Sequence, residues 1–142
     1  MKINYYLINL LIILTLYSCA HKQIEPETPL KDDYGNELFA KAENYYQSDN
    51  FSRAQKYYQK YIESYPDGQM ATAALFKMGS IETLTGNYDN ARTIFSDLIR
   101  MHPDSYFVPE AHIEILMTYF REKKYSEVID RSKTLSESLP EN

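Results

Sequence analysis

Cysteine is almost missing from this sequence. Cys19 is the only one in 142 residues, which rules out an internal disulfide and a Cys-rich metal site. There is no tryptophan, and glycine and proline number only 4 and 6; neither a β-rich fold nor a disordered Pro-rich chain is suggested. Basic charge is also short, with 15 Lys and Arg against 20 Asp and Glu. Lys2 is the only charge among the first 18 residues, so the remainder carries 14 against 20, a balance of −6. Its cations are scattered among carboxylates, whereas nucleic-acid binding needs them clustered against phosphate. His21, His102 and His112 form no i, i+4 metal pair, and no Gly-rich phosphate loop, nucleophile elbow or HExxH motif occurs. Carboxylate pairs such as Asp32 with Asp33, or Glu122 near Glu127, read as solvated faces and caps. The expectation is a protein that is not an enzyme, with no metal, no small-molecule substrate and no nucleic-acid partner.

The longest apolar run is short and sits at the start. Leu7, Ile8, Leu10, Leu11, Ile12, Ile13, Leu14 and Leu16 follow Lys2, interrupted by Asn9 and Thr15. A membrane span wants about 20 apolar residues, so the layout fits a signal peptide over 1–18. The run closes on Leu16-Tyr17-Ser18-Cys19, which resembles the lipobox of bacterial lipoproteins; Tyr17 replaces the small residue usual there. The resemblance implies cleavage before Cys19 and a covalent lipid on its sulfur, with no other cofactor. Each buried acyl CH₂ contributes about 0.8 kcal/mol, so several chains anchor a protein without a spanning helix. Ala20 lacks the Asp that favours inner-membrane retention in enterobacterial lipoproteins, which leans towards an outer-membrane lipoprotein facing the periplasm. From Cys19 to about Asp33 there is no apolar periodicity, and Pro26 and Pro29 stand among mixed charges, as in an extended tether.

What the chain has in plenty is tyrosine, 14 copies beside 6 Phe, and an internal period. Pro66, Pro103 and Pro140 are 37 apart (103 − 66 and 140 − 103). The same step relates Phe51, Tyr88 and Tyr125; Ala54, Ala91 and Val128; Tyr61, Leu98 and Leu135; and Ala42, Gly79 and Leu116. Within each unit the second half carries a helical stripe. Ala54, Tyr57, Tyr58, Tyr61 and Ile62 follow the i, i+3, i+4, i+7, i+8 rule, and Ala91, Ile94, Phe95, Leu98 and Ile99 repeat it. Asn50 and Asn87 stand where a side chain caps such a helix, and Pro66 and Pro103 stop it. The first halves, about Gly35 to Gln47, Ala71 to Leu84 and Pro109 to Arg121, have similar spacing. The predicted fold is therefore all-α, three helical hairpins over about 34–67, 71–104 and 108–141.

This pattern resembles the tetratricopeptide repeat. Ala42 and Gly79 stand for its small residue in the first helix, Ala54 and Ala91 for that in the second, Tyr58 and Phe95 for the aromatic, and Pro66 and Pro103 for the closing proline. The period exceeds the usual 34 by three residues, which fall between the prolines and the next helix. Tyr65-Pro66-Asp67-Gly68 and His102-Pro103-Asp104-Ser105 look like the longer repeats of envelope lipoproteins of the BamD-like and CpoB groups. The third unit departs from the pattern: Leu116 and Val128 replace small residues, and Ser132 replaces the aromatic.

The resemblance implies a helical solenoid whose first helices line a concave, partner-binding face. At the corresponding places stand Phe39, Tyr46, Phe76, Leu84, Ile113, Met117, Phe120 and Arg121, a set suited to holding a peptide or helix. Phe39 and Phe76 equally suit a hairpin core. The implied function is a membrane-anchored scaffold that binds proteins and assists outer-membrane protein assembly. The alternative is the N-terminal arm of an activator of peptidoglycan synthases.

Overall fold

A computed structural model describes residues 31–138, all of it helix and short connection. The expected signal peptide, Cys19 and the expected tether up to residue 30 lie outside the described residues. Six helices follow one another: α1 (Lys31–Gln47), α2 (Phe51–Ser64), α3 (Ala71–Leu84), α4 (Tyr88–Met101), α5 (Val108–Arg121) and α6 (Tyr125–Ser138). They pack as three antiparallel pairs, and each hairpin packs mainly on its neighbours in the chain. No helix among the described residues is long and apolar enough to cross a membrane.

The closing prolines act where the sequence placed them. Tyr65 and His102 cap the ends of α2 and α4 one residue before Pro66 and Pro103. The start of α1 differs from expectation. It begins at Lys31, ahead of Gly35, so residues 31–33 of the expected tether are helical. Nothing between Pro29 and Gly35 breaks a helix, and Gly35 is buried closely against two rings. A Cβ there would sit 3.3 Å from the Tyr65 ring and 3.4 Å from the Tyr61 ring. Asn50 caps α2 weakly, accepting from the Arg53 backbone N–H at 3.4 Å. Asn87 makes no cap bond, and its amide donates to Thr85 Oγ1 at 3.2 Å instead.

One backbone device turns all three hairpins. Asp49, Gly86 and Lys123, each 37 residues from the last, have positive φ of 56°, 82° and 61°. In every case the following N–H reaches back to a carbonyl of the first helix: Asn50 to Tyr45 at 2.9 Å, Asn87 to Glu82 at 2.8 Å and Lys124 to Tyr119 at 3.0 Å. This is a left-handed helix stop with its six-to-one hydrogen bond. Only the second hairpin places a glycine there.

The core follows the small and aromatic registers. Ala42, Ala54 and Tyr58 are completely buried in the first hairpin, and Ala91, Phe95 and Leu98 in the second. Gly79 lies against the Phe95 ring so closely that a Cβ would meet its Cε1 and Cζ at 2.7 Å. The third hairpin is built differently. Among the described residues of α6 none is fully buried, and only Val128 and Leu135 are partly so. Leu116 stands where Gly79 admits an aromatic ring in the second hairpin, and Ser132 stands where Phe95 supplies that ring. A cleft of about 430 Å³ remains between α4, α5 and α6, lined by Ile99, His112, Leu116, Arg131 and Leu135 among others.

Candidate partner-binding surface

The eight residues expected on a binding face separate into three groups. Phe39 and Phe76 are half-buried packing residues. The Phe39 ring meets Tyr58 and Tyr61 edge-on at 5.6 and 5.7 Å, and Phe76 packs on Phe95 at 5.5 Å and on Phe107 at 5.1 Å. Tyr46 lies between core and solvent: its ring touches Phe51 at 5.8 Å, and Lys77 Nζ sits 4.4 Å from its centre. Leu84, Ile113, Met117 and Phe120 are solvent-facing, at 55%, 56%, 40% and 52% exposure, and Arg121 is exposed beside them.

Ile113, Met117 and Phe120 share one face of α5 at i, i+4 and i+7. Phe120 extends that face to Tyr125 at the start of α6, ring to ring at 5.6 Å. The apolar surface is therefore concentrated on the third hairpin. The first two hairpins present polar groups along the same side. Glu43 accepts from the Tyr58 hydroxyl and lies 4.0 Å from Lys77 Nζ. Burial, and then the Glu43 carboxylate, push the Tyr46 and Tyr58 hydroxyls above the ordinary tyrosine range. Both stay protonated at physiological pH.

Sequence reasoning missed the joint between the second and third hairpins. Arg92 is buried; it donates to Thr118 Oγ1 at 3.1 Å and pairs with Glu122 and Asp89. Its guanidinium carbon lies 4.3 Å from the centre of the Tyr119 ring, with Arg131 at 4.7 Å. Glu122 was expected on a solvated face; instead Arg92, and then Lys124, hold its carboxyl below the ordinary range. The available signal was the repeat register: Arg92 stands one step of 37 after Gln55, whose amide bonds Glu82 across the preceding joint.

Comparison with known proteins bears on the hairpins directly. The tetratricopeptide repeat family matches residues 38–68 and 73–105, the first two hairpins with their closing prolines. The first two hairpins are similar to tetratricopeptide repeats. The structure of a mutant of MamA is similar, with a TM-score of 0.55 at 17% identity over 75% of this chain. The chain spans 57% of that MamA structure's length, and the likeness is one of fold. No curated protein matches the chain. Repeats of this kind make a scaffold for protein–protein contact, and no catalytic family matches.

Proposed function

We propose that this protein is a lipid-anchored scaffold of the bacterial envelope, facing the periplasm from the outer membrane and holding a protein during outer-membrane protein assembly. The observation that carries the holding role is the exposed row of Ile113, Met117 and Phe120 on α5. Three large apolar side chains on one helix face are costly to leave in water and suit burial against a partner. The anchor rests on Leu16-Tyr17-Ser18-Cys19 at the end of the apolar run.

Two measurements test the reading. A fatty-acid analogue fed to cells should label the wild type and leave Cys19→Ala as an unlabelled precursor; equal labelling removes the anchor. A photo-crosslinker at position 117, introduced into the full chain in cells, should trap a component of the outer-membrane assembly machinery. Trapping a peptidoglycan synthase instead would replace assembly by control of wall synthesis.

A further inference from the structure

The hairpins are joined through a fixed set of registers. In the first, Phe39, Glu43, Tyr46 and Gln55 reach the second: Phe39 packs in the cluster that includes Ala71 and Ala74, Glu43 and Tyr46 meet Lys77, and Gln55 bonds Glu82. In the second, Phe76 stacks on Phe107, and Arg92 bonds Thr118 and Glu122 of the third. One further step of 37 places Ile113, Met117, Phe120 and Ile129 at these same registers. All four are exposed, Ile129 to 66%. These exposed registers are the less polar ones: Glu43 and Ser80 give way to Met117, and Gln55 and Arg92 to Ile129.

Inside the molecule these registers are covered by a helix, α3 at the first joint and α5 at the second. Each enters with a fully buried alanine, Ala74 or Ala111, followed at the fourth and seventh places by Met78 and Ile81 or by Ile115 and Thr118. The first hairpin offers nothing similar to a second copy stacked head to tail. At the places of Ala74, Met78 and Ile81 it has Glu37, Lys41 and Asn44, all exposed, with Glu37 and Lys41 paired at 2.5 Å. Stacking would press that ion pair against Ile113 and Ile129 and strip its water without compensation. Among the described residues, the first hairpin presents charge at these places and the third presents apolar side chains.

We infer that the exposed face of the third hairpin, Ile113 to Ile129, binds an amphipathic helix of a partner protein. Its contact stripe carries a small residue followed at the fourth and seventh places by apolar side chains, and it brings no carboxylate to Ile129. The inference gives the scaffold reading its surface and the chemistry of its partner, and it rests on that reading only in needing a protein partner.

The test uses the purified full chain in detergent and a fluorescent peptide of the α3 sequence, residues 70–85, which already offers Ala74, Met78 and Ile81. With the substitution E82L, the peptide should bind the wild type at least about tenfold more tightly than it binds Ile129→Glu, because docking would bury an unpaired carboxylate. Ile129→Arg, which restores the residue type of Arg92, should reverse the order and prefer the unaltered Glu82 peptide. Both variants change an exposed side chain, and circular dichroism checks that their helicity is unchanged. Absence of binding by the E82L peptide, or equal binding to wild type and Ile129→Glu, overturns the inference. So does a dimer of the wild-type chain in sedimentation that Ile129→Glu separates, which would give the face to a second copy. The labelling and in-cell trapping experiments read the anchor and the partner's identity independently of this outcome.

Discussion

Replacing Gly79 by alanine tests the packing of the second hairpin through the sign of the effect. At an open position inside a helix, glycine to alanine stabilises by roughly 0.8–1.0 kcal/mol. Here the added methyl would lie 2.7 Å from Cε1 and Cζ of Phe95 and 3.0 Å from Cδ1. That ring has no free direction, since Phe95 is fully buried and Phe76 packs on it at 5.5 Å. Overpacking of this kind costs about 1–3 kcal/mol, so after the propensity gain Gly79→Ala should be destabilised by up to about 2 kcal/mol instead of being stabilised. For a domain of this size that lowers Tm by roughly 4–8 °C per kcal/mol. The assay is urea and thermal unfolding followed by circular dichroism, with Phe95→Leu and the double variant completing a cycle. Leucine shortens the ring's reach, so the alanine should be less harmful in the Phe95→Leu background, with a coupling of about 0.5 kcal/mol or more. A stabilised Gly79→Ala, or strict additivity with Phe95→Leu, would refute the close approach.

The remaining expectations concern the turns, the joint and the small-residue register. Lys123→Gly should stabilise by about 0.5–1 kcal/mol, because it removes a side chain from left-handed backbone, while Gly86→Ala should destabilise by a similar amount; Tm values check both. Glu122 has a depressed folded-state pKa, so its contribution is present above the ordinary carboxylate range and is lost as pH falls through its folded value. Tm followed from neutral to acid pH should therefore fall less steeply in Glu122→Gln than in the wild type, and parallel curves would remove the Arg92 pairing. Ala91→Leu should cost about 1–3 kcal/mol by overfilling a closed helix contact, while Ser96→Leu, on the exposed side of the same helix, should be near neutral; equal unfolding midpoints would contradict the register.

Much of the fold was legible because it is written three times. A 37-residue step is visible in Pro66 and Pro103 and in Ala54 and Ala91 without any structure, and the helix ends at Ser64 and Met101 follow from the prolines. The binding face was legible only in part. Phe39 and Phe76 share a register with Ile113, yet they are covered by the hairpin that follows while Ile113 is not, and a single-residue pattern does not carry that difference. Left-handed backbone at Asp49 and Lys123 escaped notice because neither is glycine; the register with Gly86 was the clue. Arg92 was hidden for another reason. A buried cation is recognised by its partners, and Thr118 and Glu122 lie 26 and 30 residues away.

Packing mainly between neighbouring hairpins also governs how the molecule comes apart. Stability in such an array is a sum of hairpin and joint contributions, so opening begins where both are weakest. Here that is α6, which has no fully buried described residue and lies beside the cleft. Amide hydrogens of α6 should exchange with solvent first, those of α5 next, and those around Tyr58 and Phe95 last. A helix seated on Ile113 and Ile129 would therefore do more than attach a partner. It would slow exchange across the whole third hairpin, making occupancy at one end of the array readable as rigidity several turns of helix away.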